Sequence, residues 1–84
     1  MINFKNIKPV NTTPIDVDYN NMDEEGGVKL TTESSVESIK KLGINLKEGQ
    51  LVLISDSELE YLGVVILRRD CLVVVPIEVT RKDL

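Results

Sequence analysis

The chain has 84 residues, which is room for one domain and no more. Its composition, 42% hydrophobic and 29% charged, is that of an ordinary globular domain and excludes a wholly disordered or low-complexity chain. The net charge of −4 argues against nucleic-acid binding, which needs a basic face, and a single cysteine excludes an intramolecular disulfide.

The cellular compartment follows from what the sequence lacks. The first residues, Met-Ile-Asn-Phe-Lys, do not begin the apolar stretch of a signal peptide. Every apolar run is shorter than the roughly 18 residues that a membrane-spanning helix needs. Small secreted domains usually have several cysteine pairs, whereas this chain has only Cys71. We therefore expect a cytoplasmic protein with no membrane association.

Residues 1–26 are predicted to be an extended lead-in with a possible edge strand. A cluster of turn-forming residues lies between Pro9 and Pro14. After it, three apolar residues alternate with Asp16 and Asp18, which is the period-2 pattern of a half-buried strand: Ile15, Val17 and Tyr19. Charges within such a strand are typical of a sheet edge. Residues 20–27 form a polar, acidic turn.

A short strand over residues 27–31 and a helix over about residues 34–42 come next. Ser34 and Glu37 have the spacing of a capping box, which satisfies two amide groups at a helix N-terminus. Apolar residues then recur three positions apart on one helix face: Val36, Ile39 and Leu42. Gly43 follows where a left-handed residue usually ends a helix.

The second half of the chain is predicted to be β. Three runs rich in branched residues read as strands: residues 51–54, 61–68 and 71–75. Arg69-Asp70 lies between the last two runs and forms a tight hairpin turn. Pro76 ends the last long strand, and Ile77 and Val79 form a short closing strand. The domain therefore covers residues 27–79, and residues 80–84 form a charged tail.

The apolar runs in these strands are continuous. A strand with one wet face alternates in polarity, whereas a strand covered on both faces does not. One short helix covers only part of one sheet face. Either the sheet curls so that both faces find cover, or an apolar patch stays open for a protein partner or for a second copy of the chain.

A small barrel accommodates these strands best. Gly63 lies within a strand, where it allows a barrel corner to bend. The run 47–56, with Gly49 before a strand, and the following Gly63-Val64-Val65 resemble SH3-like barrels. We therefore predict a mainly β fold, a small SH3-like open barrel of about five strands with one short helix.

Part of the chain also resembles a family of small, uncharacterised bacterial proteins with such a barrel. The matching pieces are residues 28–30, residues 35–39 and the distinctive segment 43–49, Gly-Ile-Asn-Leu-Lys-Glu-Gly, within about residues 23–79. The family tends to have tryptophans in its last strand, where this chain has Cys71 and Ile77. The resemblance implies a fold and brings no known activity with it.

Catalytic and metal-binding groups are sparse. Without histidine, the usual general base and every Ser-His-Asp or Cys-His arrangement are missing. Cys71 lies in a branched apolar run, so we expect a buried, unreactive thiol. Asp16-x-Asp18-x-Asn20 opens like a calcium loop, but Gly27 stands where a closing glutamate is required. We predict no enzyme, no cofactor and no metal site.

Three residues are the candidates for an interaction surface: Tyr61, Arg68 and Arg69. Tyr and Arg are enriched at binding hot spots, and these three flank the predicted hairpin. The competing interpretation places Tyr61 at the edge of the core and treats the arginines as turn charges.

The leading hypothesis is a noncatalytic protein-interaction or regulatory module. The alternative is a nucleic-acid-associated barrel, which requires Arg68, Arg69 and the helix residues Lys40 and Lys41 to converge on one face. A third class is a small enzyme that uses Cys71 or the carboxylates of a polar connection: Asp56, Glu58 and Glu60.

Overall fold

The computed structural model of the chain describes residues 8–84. In chain order its elements are β1 (Ile15–Asp16), β2 (Val28–Lys29), α1 (Glu33–Leu42), β3 (Leu51–Ser55), β4 (Leu59–Arg68), β5 (Cys71–Pro76), a 3-10 helix (Glu78–Thr80) and β6 (Lys82–Asp83). No helix among these residues is long and apolar enough to span a membrane. The predicted lead-in of residues 1–26 falls partly outside the described residues.

The strands form one curled sheet. Its order is β1-β3-β4-β5-β2, and β6 pairs with the start of β4. The three long strands are antiparallel neighbours, whereas β1 lies parallel to β3 at one edge. The sheet bends into a half-barrel, and the prediction of a mainly β, small open barrel with one helix is confirmed.

The concave inner face of the sheet holds the core. Alternate residues of the strands point inward and are fully buried, among them Val52, Ile54, Val65 and Val74. Helix α1 contributes Ile39 and Leu42, which pack against this cluster. Gly63 is paired with Pro76 and lies diagonally across from Val74, and a Cβ on Gly63 would collide with the Val74 side chain. The bend of the sheet therefore depends on a glycine at this position.

The helix begins at a different cap from the one predicted. Thr32, and not Ser34, is the N-cap, and its hydroxyl accepts from the Ser35 amide at 3.2 Å. The prediction of a Ser34–Glu37 capping box is wrong because Ser35 is fully buried and donates its hydroxyl to the Asp16 carbonyl at 2.6 Å. This contact ties the first turn of α1 to β1.

Two predicted chain reversals are confirmed in position. Gly43 ends α1 in the left-handed region with φ of 65°, and its amide donates to the carbonyls of Ile39 and Lys40. Arg69 and Asp70 both have positive φ, 47° and 66°, and join β4 to β5. Two consecutive left-handed residues are the geometry of a type I′ hairpin turn.

The segment before β1 is part of the sheet edge. The Val10 amide donates to the Leu51 carbonyl at 2.9 Å. The buried Asn11 side chain then makes a pair of 2.9 Å bonds with Leu53, donating to its carbonyl and accepting from its amide. One side-chain amide thereby replaces a peptide unit along β3, and the strand edge is closed.

The C-terminal residues differ from expectation. Glu78–Thr80 form a 3-10 helix where a closing strand through Ile77 and Val79 was predicted. The Thr80 hydroxyl accepts from the Leu62 amide at 2.9 Å and donates to the Ile77 carbonyl at 2.6 Å. Beyond it, Lys82–Asp83 pair with the first residues of β4. The charged residues 80–84 are therefore joined to the sheet.

Substitutions at neighbouring positions of β4 distinguish its two faces. Val65 is fully buried on the inner face, whereas Val64 is half-buried on the outer face. We expect Val65→Thr to lower the free energy of unfolding by about 1–3 kcal/mol, because it buries a hydroxyl without a partner. The same change at Val64 costs less than about 1 kcal/mol, because the hydroxyl reaches water. Urea denaturation of both variants measures the difference, and equal losses would contradict the assignment of the faces.

Candidate functional site

The convex outer face of the sheet has a row of aliphatic side chains. They project from the positions that alternate with the buried ones, and all are half-buried: Leu51, Leu53, Leu62, Val64, Ile66 and Val75. Cross-strand pairing brings Leu51, Val64 and Val75 side by side. Among residues 8–84, these six side chains do not belong to the core or pack against it. We call them the outer strip.

The outer strip continues into a cleft at the β4–β5 hairpin end, which we call the hairpin cleft. It has a volume of about 760 Å³. One wall is the loop of residues 21–25, and the other is the end of the hairpin with Arg68 and Arg69. Ile66 belongs to both the strip and the cleft. The two features therefore form one surface, the outer surface.

An ion pair holds the loop wall in place. The Arg68 guanidinium donates to both oxygens of Asp23, at 2.7 and 2.9 Å, and lies 3.4 Å from the Glu25 carboxylate. Asp23 also accepts from the Gly27 amide at 2.7 Å and the Glu25 amide at 3.0 Å. These backbone bonds, the Gly27 bond foremost, together with Arg68 lower the pKa of the Asp23 carboxyl.

Gly27 allows the loop to approach the sheet closely. A Cβ on Gly27 would lie 2.7 Å from Cγ2 of Val73. Val73 is on the outer face, opposite Ile66, yet it is only 2% exposed. The loop therefore covers one end of the outer face, and the outer strip is the part that it leaves open.

The cleft also has charges outside this ion-pair cluster. Lys29 and Arg69 line it, and neither forms a salt bridge with another residue of the 8–84 segment. Arg69 has φ of 47°, a conformation that glycine and asparagine adopt far more readily. The turn alone therefore does not account for an arginine at this position.

The three candidate residues from the sequence are on different faces. Arg68 and Arg69 line the hairpin cleft, Arg68 within the ion pair and Arg69 outside it. Tyr61 lies on the inner face, 8% exposed, with its ring edge-on to Tyr19 at a centroid distance of 5.5 Å. The outer surface therefore includes two of the three.

Tyr19 closes the inner end of the sheet. Its hydroxyl is the donor to two carbonyl oxygens, that of Leu59 at 3.1 Å and that of Ile54 at 3.4 Å. Burial, followed by the nearby Asp56 carboxylate, raises the pKa of the Tyr19 phenol well above its usual range. Tyr61 is therefore part of the core, and Tyr19 packs against it.

Cys71 is exposed, so the expectation of a buried thiol is wrong. Its position at the start of β5, paired with Arg68, places it on the outer face beside the hairpin cleft. A second, smaller groove between α1 and β5 also borders Cys71. The sequence does not reveal that Cys71 faces outward, because the apolar residues that follow it, Leu72 to Val75, show no alternation in polarity.

The acidic residues before the loop form turns. The Asp18 carboxylate accepts from the Asn20 amide at 2.9 Å. Within residues 8–84, no group of three or more Cys, Asp or Glu side chains is arranged to hold a metal ion.

The sequence did not predict the loop wall, because residues 20–27 read as a solvated turn. The ion pair that holds the loop joins Asp23 to Arg68, which lies 45 positions away in the chain.

No protein-family model matches the chain, and no curated protein or solved structure matches it. The resemblance to the bacterial barrel family therefore stays a prediction. The function of the outer surface has to be inferred from its own residues.

Replacement of Asp23 tests the ion pair that holds the loop. Asp23→Asn keeps a side-chain oxygen for the turn amides and removes the charge that binds Arg68, so we expect a lower urea midpoint at pH 7. The folded-state pKa of Asp23 is lowered, so its contribution is complete above the ordinary aspartate pKa of about 3.9 and is lost as pH falls through the folded value. The difference between wild type and variant therefore disappears in strong acid.

The matched control for this series is Glu24→Gln, which removes an adjacent charge that makes none of the loop bonds. We expect Glu24→Gln to leave the urea midpoint nearly unchanged from pH 2 to pH 7. An Asp23→Asn midpoint that follows the Glu24→Gln midpoint at every pH would contradict the role given to the ion pair.

The exposed thiol gives a direct measurement of the outer surface. We expect Cys71 in the native chain to react fully with a disulfide reagent at a rate within about tenfold of the urea-unfolded chain, because access limits thiol reactivity. Absorbance of the released thiolate measures the rate. Labelling that requires unfolding would show that Cys71 is covered.

Proposed function

We propose that this protein is a noncatalytic interaction module that docks a protein partner on its outer surface. The observation that carries the proposal is the outer strip, six contiguous aliphatic side chains that the core does not use. Each square ångström of apolar surface removed from water is worth roughly 25 cal/mol, so a partner that covers the strip gains binding free energy.

The surroundings of the strip have the composition of a binding surface. Met22 and Leu67 line the hairpin cleft and are 41% and 51% exposed. Methionine adapts to varied partners, and arginine is enriched at hot spots. An apolar centre with a charged margin is the usual arrangement of protein interfaces.

The charges of the cleft support a protein partner over a nucleic acid. Asp23, Glu24 and Glu25 line the same cleft as Arg68, and two of these carboxylates neutralise it. Phosphate binding gains its free energy from uncompensated cations, and carboxylates beside them oppose it. Lys40 and Lys41 lie in the last turn of α1, a separate element.

The candidate catalytic groups have structural roles or lack a suitable setting. The Asp56 carboxylate accepts from the amides of Glu58 and Leu59 at 2.7 and 2.8 Å and so closes the turn before β4. Cys71 has Arg68 as its cross-strand neighbour, but that guanidinium is bound to Asp23. These contacts support a binding role over a catalytic one.

A selection of displayed peptides against the full chain tests the proposal. We expect binders whose affinity falls at least tenfold with Val64→Lys, which places a charge at the centre of the outer strip. Val64→Thr keeps the branched side chain suited to a strand and weakens the same binders less. The selected peptides also slow the labelling of Cys71 in the native chain.

The control substitution is Lys47→Glu, in the turn before β3 and outside the strip and cleft. It changes the net charge in the opposite sense to Val64→Lys and should leave binding unchanged. Binders that tolerate both Val64 substitutions, or that respond equally to Lys47→Glu, would overturn the proposal that the outer surface is the docking site.

A further inference from the structure

We propose that residues 8–14, which we call the edge arm, are pinned by Asn11 and keep β3 from pairing with β3 of a second copy of the chain. The inference is independent of the outer surface and of its proposed docking function. It follows from one observation, a side-chain amide that occupies the place of a peptide unit along the outer edge of β3.

The outer edge of β3 needs a cover. The sequence of β3 is Leu-Val-Leu-Ile-Ser, which is β-prone, uncharged and free of proline and glycine. An open edge on a strand of this composition is a template for pairing with another chain. The other edge of β3 is paired with β4 along its whole length. A second copy can therefore add only at the outer edge.

The edge arm and β1 occupy this outer edge between them. β1 pairs with the last two residues of β3. Nearer the start of β3, the Val10 amide donates to the Leu51 carbonyl at 2.9 Å. Between these contacts, the Asn11 side chain binds the amide and the carbonyl of Leu53. The peptide groups of Leu53 are therefore satisfied by a side chain and not by a strand.

Asn11 is the residue that attaches the arm. It is 4% exposed, whereas the other six residues of the arm are exposed or half-buried. Its side chain makes two bonds of 2.9 Å with Leu53 and donates to the Thr13 carbonyl at 3.0 Å. Asparagine offers a donor and an acceptor side by side, as a peptide unit does. An apolar side chain at this position would leave both Leu53 groups without a partner.

The edge arm is itself a poor template for a further strand. Pro9 and Pro14 lack amide protons, so the arm interrupts the row of donors that an incoming strand needs. The chain also bends at residues 12 and 13. Proline and bends are common devices at sheet edges that must not pair. Pairing between copies therefore requires β3 itself, and the arm has to leave before that edge is available.

A second copy of the chain is the occupant that fits an opened edge. Two β3 strands related by a two-fold axis would pair antiparallel, each offering the same residues to the other. The edge arm competes with that copy for the peptide groups of Leu53. Because the arm is covalently attached, its effective concentration at β3 is on the order of millimolar, and it excludes a second copy in dilute solution.

The substitution Asn11→Ala tests the guard, because it removes all three side-chain bonds and leaves no bulk over the edge. We expect the variant to dimerise at concentrations at least about tenfold lower than wild type, since the opened edge is free to pair. Sedimentation velocity measures the dimerisation. In the dilute monomer, the Leu53 amide should exchange its hydrogen faster than in wild type.

The matched control is Asn20→Ala, which makes the same change at an exposed asparagine outside the arm. We expect it to behave as wild type in both measurements. An Asn11→Ala chain that stays monomeric wherever wild type does would overturn the inference. Dimers that Val64→Lys dissociates would form through the outer surface and would also overturn it, whereas dimers that persist with Val64→Lys support pairing at β3.

Two further measurements keep the inference testable if Asn11→Ala does not fold. Asn11→Ser is the milder variant, since its hydroxyl is too short to bind both groups of Leu53 and still offers a polar atom. In wild type, the Leu53 amide should exchange at least about a hundredfold more slowly than in an unstructured peptide of the same sequence. Exchange at the rate of the peptide would show that Asn11 does not pin the arm.

Discussion

The sheet has aliphatic side chains on both faces, and α1, the one α-helix of the described residues, covers only one of them. Leu62 to Leu67 is apolar at every position except Gly63, so the strand cannot turn a polar side to water. Curling buries the inner residues around Val65 and Val74, and it leaves their outward neighbours on the convex side. Two-layer domains place a second element over such a face. Among residues 8–84 that layer is incomplete, and the outer strip results.

Val73 is the part of the outer face that the described residues cover fully, and an ion pair between Asp23 and Arg68 holds the loop that covers it. The loop before β2 reaches Val73 because Gly27 lacks a side chain, and Arg68 holds Asp23 over it. One guanidinium nitrogen of Arg68 binds both oxygens of Asp23, and two backbone amides bind the same carboxylate, so four hydrogen bonds restrain the loop. These bonds give the cleft a defined wall.

The sequence predicted those features that depend on nearby residues. Gly43, the Arg69–Asp70 turn and the helix come from contacts within a few positions, and all are present. The N-cap was misassigned because the choice between Thr32 and Ser34 depends on Ser35 binding Asp16, 19 positions away. The structure agrees with the competing interpretation of Tyr61, at the edge of the core. The orientation of Cys71 was predicted wrongly, because a continuous apolar run hides the alternation that reveals which side is buried.

The candidate site was the least predictable part because it is defined by what remains unpaired. Arg68 and Arg69 are adjacent in sequence and equally basic, yet one is neutralised by Asp23 and Glu25 and the other is not. Only the fold, which brings the acidic loop beside the end of β4, distinguishes them. The same pairing leaves Lys29, Arg69 and the Glu24 carboxylate without a salt bridge among the described residues, so the outer surface is apolar along the strands and has charges of both signs at one end. Charges at fixed positions beside an apolar face orient whatever covers it, and specificity arises from orientation as much as from apolar area.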